Sequence, residues 1–409
     1  MADPIVLISS YPPRLCGIGT FTEEAREFIQ KQHPERDVLV ISHTDGAGEG
    51  VFPLIDLERA DWWKPVVEKI EALNPYSIHI EHEYSLYRCT TSQAEADDPS
   101  LGFLDMLEAL KRWPVVFEPH TVHGRLCEHE ALFLHRVCEL AEVVLFKCAY
   151  QRWRLHWTFS QRGWRIPRNI LIVPHGARSD YRWSVEDVPQ LRSELGLDAI
   201  PHLGSHLVGL VGWIQSNKRW DILTSMWEEV REAIHERSGI YWDLFAAGAM
   251  RDPNHAADYH LYRDQLQVLE RKRMAHFYEF VPRGEVYYKI MAVCDFIVLP
   301  SVDETQSGTL ARIIALNKPY ITSAPMEGLT SQTLESEGGL LFTTKQMLKE
   351  KVVRLACDEK LRLDLGNNLQ RYLTEVVAWE VVARLYSHAY DLAREAVLHH
   401  HPVEIPMDF

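Results

Sequence analysis

The chain holds 409 residues, 46% of them hydrophobic and 25% charged, and its formal net charge is −15. That length exceeds an ordinary single domain and leads to an expectation of two, while the composition is that of a globular protein. The acidic balance argues against nucleic acid as a partner, and no apolar run approaches the ~20 residues of a membrane span. The seven cysteines are scattered without a C-x-x-C pair, which indicates neither a zinc site nor a disulfide framework.

The opening MADPIVLISS runs straight into an apolar strand at 5–8, without a basic leader or cleavage site, so a cytoplasmic location is expected. Next comes SSYPPRLCGIGTFTEEAREFI. Pro12, Pro13, Gly17 and Gly19 predict a loop, Thr20 with Glu23 a capping box, and Phe21, Ala25, Phe28 and Ile29 the apolar face of a helix. With two glycines the loop falls short of a G-x-G-x-x-G fingerprint. Apolar runs recur at 38–41, 77–80, 115–117, 143–146 and 170–173, separated by helical segments, which implies a parallel sheet covered on both faces. Ligands of such sheets sit at the carboxyl ends of the strands. The residues there are Ser9 and Ser10, Glu81-His82-Glu83, His120-Thr121-Val122-His123 and His175-Gly176. His82 alone reads as a satisfied structural histidine; the set together, Glu83 and His175 included, reads as a site. The stretches 44–50 and 90–100, the latter with Glu95, Asp97 and Asp98, read as mobile loops.

The segment QRWRLHWTFSQRGWRIPR interleaves arginines with Trp153, Trp157 and Trp164. It could face an acidic acceptor or an anionic membrane, but the expectation is a helix with core tryptophans and solvated arginines, so membrane contact is not favoured.

A second series of apolar runs, at 207–211, 242–248, 276–280, 296–300, 320–323 and 340–342, again alternates with helices. The expected fold is therefore α/β, with two Rossmann-like doubly wound domains, 1–190 and 191–384. A final helix at about 385–409 packs back on the first domain. The closing helical region, with Trp379, Leu385, Tyr386 and Tyr390, supplies its apolar face.

Within the second domain, SVDETQSGTLARIIALNKPYI follows a strand, and Leu310, Ile313 and Ile314 predict a helix beginning near Ser307 to Thr309. Free N–H groups and the helix dipole at such a start suit a phosphate, and Gly308 lets a ligand approach the backbone. Glu304, beside Asp303, is placed to accept hydrogen bonds from hydroxyls.

The ordered set SYPPRLCGIGTFT, PHTVH, VPHGA, GWIQSNK, EFVP, DETQSGTLARIIALNKP and EGGLLF resembles the retaining GT-B glycosyltransferases of family four over nearly the whole chain. The opening motif is similar to a mannosyltransferase-like subset. The resemblance implies a GT-B fold with an interdomain cleft and transfer of a hexose, mannose or glucose, to a hydroxyl or carbohydrate acceptor. The donor would be a nucleotide sugar of the GDP-mannose or UDP-glucose type, with no cofactor and no metal. It assigns Gly17 to the donor phosphate, His120 to the transferred sugar, Lys218 to the pyrophosphate and Glu304 to sugar hydroxyls. Ser307, Gly308 and Thr309 become the pyrophosphate-binding helix start, and catalysis falls to His120, Lys218 and Glu304.

Two positions depart from the family pattern. Trp213 stands where an arginine follows the glycine, and Arg312 where a second glutamate holds the ribose. Arginine only donates, so it cannot accept from ribose hydroxyls. Either Arg312 lies on the solvated side of its helix, or it supplies the charge that Trp213 lacks. No carboxylate nucleophile stands out, which favours front-face attack with the leaving phosphate as base. Alternative readings are a glycoside phosphorylase or sugar-nucleotide epimerase on the same fold, or an inactive sugar-binding protein.

Overall fold

The computed structural model describes residues 2–88, 99–302, 306–325 and 327–406. The stretch 90–100 read as a mobile loop falls almost wholly outside these residues, and so do Asp303 and Glu304. The chain divides into two compact units, Met1–Gly176 with Trp379–Phe409, and Ala177–Ala378. The sequence had placed the corresponding changes at 190/191 and 384/385. Among the flanking helices are α1 (Gly17–Gln32), α2 (Glu128–Leu140), α3 (Ala149–Gln161), α4 (Gly284–Ala292), α5 (Gly308–Ala315) and α6 (Trp379–His399).

The first unit is built on a seven-stranded sheet of β1 (Ile5–Ile8), β2 (Val38–His43), β3 (Val51–Ile55), β4 (Ser77–His82), β5 (Val115–Pro119), β6 (Val143–Phe146) and β7 (Ile170–Ile172). The order is β3-β2-β1-β4-β5-β6-β7, and every pairing is parallel. β1 lies between β2 and β4, with Ile5 opposite Val38 and Ser77, so its side chains are buried on both faces. That explains its unbroken apolar sequence. β3 was not anticipated: Pro53 argues against a strand, but it is tolerated here because β3 is the sheet edge. The preceding stretch 44–50, read as mobile, is instead pinned, with Ala47 N donating to Pro12 O at 2.9 Å and Arg26 to Glu49 O at 2.8 Å.

Helix α1 also starts earlier than its predicted capping box. Cys16 is the N-cap, with no side-chain cap, and the Thr20 hydroxyl reaches back to Cys16 O instead. Buried Gly19 packs there against Ser10 and Tyr11. Helix α6 closes the unit against α1. Trp379 is fully buried, 5.1 Å from the Phe21 ring and stacked 6.0 Å from Phe28, and its indole N–H donates to Glu24 at 3.1 Å. The ring lies over Gly176, where any Cβ would come within 2.3 Å.

The second unit carries β8 (Leu207–Val211), β9 (Asp243–Gly248), β10 (Ala275–Glu279), β11 (Phe296–Leu299), β12 (Tyr320–Ser323) and β13 (Gly339–Phe342). Their order is β10-β9-β8-β11-β12-β13, again with all pairings parallel. In both sheets the order reverses beside the first strand, between β1 and β4 and between β8 and β11. Such switch points open a crevice at the strand carboxyl ends.

Trp379→Ala removes a fully buried indole and is expected to cost about 3–5 kcal/mol. Urea unfolding of the whole chain measures it; an unchanged midpoint would show that α6 does not lock its unit.

Candidate functional site

At the switch point of the second unit, β8 is followed by Gly212, whose φ of +138° is a backbone conformation that suits glycine. A Cβ at Gly212 would lie 3.2 Å from the Tyr287 hydroxyl and 3.4 Å from Thr309 Oγ1, and those two groups are themselves 2.8 Å apart. Gly248, the last residue of β9, is equally constrained, because a Cβ there would sit 2.1 Å from the Gly212 carbonyl oxygen. The glycines thus let the β8 loop settle against the start of α5. Half-buried Trp213 follows Gly212, and a single 3₁₀ turn, Ser216–Lys218, brings half-buried Lys218 round. This turn is stitched to the loop after β11 by Val302 N donating to Asn217 O at 2.7 Å. Lys218 and the segment that leads to Glu304 are therefore neighbours in the backbone.

Helix α5 begins at Gly308 with Ser307 as N-cap, the Ser307 hydroxyl accepting from Leu310 N at 3.3 Å. The predicted start of this helix and its buried face of Leu310, Ile313 and Ile314 are as observed. The structure removes the solvated alternative for Arg312. Its side chain is half-buried and turned toward the helix start, where Nη1 donates to Gly308 O at 2.8 Å. The guanidinium lies 5.2 Å from the Tyr287 ring and 5.6 Å from Tyr288 on α4. Space above Gly308, expected to be open to a ligand, is shared with this cation: a Cβ there would meet Arg312 Nη1 at 3.3 Å. Beside it, buried Ser301 Oγ and both amide atoms of Gln306 have no hydrogen-bond partner among the described residues. Buried polar atoms without partners are uncommon, and a polar ligand would satisfy them.

In the first unit, β4 and β5 carry their last polar residues into the interior. Glu81 is fully buried and accepts from Thr22 at 2.7 Å and Ser9 at 3.3 Å, while His120 Nε2 lies 3.5 Å from the same oxygen. Phe21 on α1 sits edge-on to His120 at 4.7 Å and to His175 at 4.8 Å, holding both rings at one edge of the sheet. His175 Nδ1 is 2.8 Å from Gly176 O. Glu83 accepts from Thr121. Gly17 is exposed at the first turn of α1. Gly17, Glu83, His120 and His175 thus lie together along the carboxyl edge of one sheet. Lys218, Ser307, Gly308, Thr309, Arg312 and Trp213 gather at the switch point of the other. Glu304 lies outside the described residues.

Sequence reading overlooked Glu118 and Lys147, which pair in the interior behind this edge. Glu118 also bonds His79 at 2.9 Å and the Tyr386 hydroxyl at 3.2 Å. Burial opposes the Glu118 charge, but the Lys147 ammonium, with the His79 hydrogen bond, holds its carboxyl well below the usual carboxylate range. The signal was present in polar residues placed inside apolar strands. His82 differs from the expectation of a satisfied histidine. Among the described residues neither ring nitrogen has a hydrogen bond, and the ring stacks on Tyr87 at 5.6 Å among Phe103, Phe117 and Phe133. Burial, with the nearby His120, pushes its pKa down to about 3, so the cage holds a neutral ring. A cavity of about 430 Å³ lies at the opposite edge, beside Glu142, Arg165 and Glu404, away from these groups. Among the described residues, no group of three or more His, Cys, Asp or Glu is arranged to hold a metal ion.

Residues 205–358 match the family model of glycosyl transferases group 1. This stretch, within the second unit, resembles a glycosyl transferase domain, and the chain is a transferase enzyme. No curated protein sequence matches the chain. Among solved structures, HepE from Anabaena in complex with UDP superposes with a TM-score of 0.70 at 16% identity, covering 95% of this chain and 99% of its own. Sucrose-phosphate synthase from Thermosynechococcus elongatus gives 0.67 at 15%, covering 95% and 98%. WaaG, a glycosyltransferase involved in lipopolysaccharide biosynthesis, gives 0.63 at 13%, covering 94% and 99%. At these identities the likeness establishes the fold: this transferase has the two Rossmann-like units of GT-B glycosyltransferases.

The transferase should lose stability on acidification because its unfolded His82 binds a proton that the native ring refuses. The slope from this residue is about 1.4 kcal/mol per pH unit below ~6.5, down to the folded value. Between about pH 6 and pH 5, above the range where Glu118 adds its own loss, His82→Phe should flatten the dependence by roughly that amount. Denaturant titrations at the two pH values decide; parallel curves for both proteins contradict it.

Proposed function

We propose that the enzyme transfers a hexose from a nucleotide sugar to a hydroxyl acceptor with retention of anomeric configuration. The observation that carries this is the convergence, at one strand-order reversal, of the Lys218 turn, the N-terminus of α5 and the Arg312 guanidinium. A diphosphate needs several fixed donors at once, and backbone N–H groups with two cations provide them without added reorganisation. HepE has been crystallised with UDP-glucose, which supports a nucleoside-diphosphate donor for this related fold. Mannose and glucose remain the two sugars proposed, with GDP or UDP as carrier.

In this reading Lys218 neutralises the pyrophosphate, Ser307, Gly308 and Thr309 receive its oxygens, and Glu304 accepts from sugar hydroxyls. Trp213 lines the donor loop, and Arg312 replaces the positive charge that an arginine beside Gly212 would have given. Gly17 approaches the donor phosphate. His120, backed by Glu81, contacts the transferred sugar, and Glu83 and His175 serve the acceptor side. As the C1–O bond to the diphosphate breaks, charge grows on the leaving oxygen, where these cations and amides stabilise it. The leaving phosphate takes the acceptor proton as the new C1–O bond forms on the same face. No metal is assigned a part.

The position of Arg312 gives one rival a specific basis. With a donor-only side chain at the ribose position, a sugar 1-phosphate becomes an admissible donor for a phosphorylase. Incubation with UDP-glucose, GDP-mannose or glucose 1-phosphate, followed by product analysis, separates the two. Release of a nucleoside diphosphate supports transfer, release of inorganic phosphate from the sugar 1-phosphate supports the rival, and inversion at C1 contradicts retention. Lys218→Ala and Arg312→Ala should each weaken donor binding by about 10- to 100-fold, the effect of losing one charge-assisted contact. Titration of the donor into each variant measures this, and unchanged affinity in Arg312→Ala would dismiss its compensating role.

A further inference from the structure

Of the tryptophans expected in the core, Trp164 packs there just beyond α3, but Trp153 and Trp157 on the helix do not. Trp153 is 51% exposed, Trp157 47% and Tyr150 40%, and their i, i+3, i+7 spacing places them on one face of the helix. The opposite face, with Gln151, Leu155, Thr158 and Phe159, is buried and does the packing. The aromatic face is therefore surplus to folding. Leu132 on the neighbouring helix α2 is also exposed, at 47%. Leu132 lies one turn from Glu128 and from His135, and those two touch the far end of the α3 segment, through Arg162 and through Phe159 and Trp164 respectively.

Charge distinguishes this face from an ordinary apolar patch. Residues 149–168 contain five arginines but no Asp or Glu, in a chain of net charge −15. The Arg154 guanidinium lies 5.6 Å from the Trp153 ring and 5.0 Å from Trp157, and its Nε donates to the Gly124 carbonyl, which brings exposed Arg125 alongside. Glu128, the acidic neighbour on α2, is engaged by Arg162 at 2.5 Å.

We propose that this face of α3 docks the enzyme on an anionic lipid bilayer. Tryptophan and tyrosine favour the level of the headgroups, where the ring is apolar and its polar edge stays wet, and arginines at the same depth meet lipid phosphates. Among the described residues no helix is long and apolar enough to cross a membrane, so the mode is attachment to the surface. The proposal does not depend on the transfer reaction, because vesicle binding is read without donor or acceptor.

Co-sedimentation of the whole chain with vesicles tests it. The protein should bind vesicles of equimolar phosphatidylglycerol and phosphatidylcholine, release as salt is raised, and ignore pure phosphatidylcholine. Its tryptophan emission should shift to the blue on binding. Trp153→Ala with Trp157→Ala should lower the partition coefficient about tenfold or more, and Arg125→Gln with Arg154→Gln should lower it and weaken the salt dependence. Thermal midpoints of both double variants verify their folding. Absence of wild-type binding to the anionic vesicles overturns the proposal. So does equal binding by a folded tryptophan variant, self-association that this variant abolishes, or capture of an oligonucleotide in place of vesicles.

Discussion

Each sheet of this protein is parallel throughout, and in each the strand order turns back beside the first strand. That reversal is a constraint before it is a site. Helices leaving β1 and β4, or β8 and β11, go to opposite sides, so the strand ends between them are left uncovered. Backbone groups and polar side chains can persist there at lower cost than elsewhere in the interior. In the second unit the gap is shaped by two glycines: Gly248 leaves room for the Gly212 carbonyl, and Gly212 leaves room for Tyr287 and Thr309. A side chain at either would push the β8 loop away from α5 and separate Lys218 from the helix start.

The interior of the first unit is costly by comparison. Glu81, Glu118, His79 and Lys147 are all buried. Buried charge is tolerated when it is paired and hydrogen-bonded, and here the partners are explicit: Lys147, His79 and Tyr386 for Glu118, and Thr22, Ser9 and His120 for Glu81. Phe21 packs on both Trp379 and the His120 ring, so the carboxyl-terminal helix helps to set the position of a candidate active-site ring.

Most of the strands were legible because a parallel strand buried on both faces must be apolar along its length, as 5–8 and 296–299 are. The start of α5 was equally plain, for Ser307 caps and Leu310, Ile313 and Ile314 repeat at helical spacing. What escaped the sequence depended on position in the sheet or on neighbours distant in sequence. β3 contains a proline that only an edge permits. Arg312 was ambiguous because its direction is set by Gly308 O and by tyrosines some two dozen residues earlier. Trp153 and Trp157 follow the arithmetic of a core helix, and only the packing of Leu155 and Phe159 turns them outward. Roles for His120, Lys218, Glu304 and the acceptor-side residues come from the resemblance.

The central claim is that the second unit grips a diphosphate at the start of α5. Calorimetric titration of the whole chain with UDP and GDP, set against UMP and GMP, measures it most directly. The account predicts that one of the diphosphates binds at least about tenfold more tightly than its monophosphate, the worth of one further charge-assisted contact. Equal affinity for both, or no binding of either diphosphate, would contradict it.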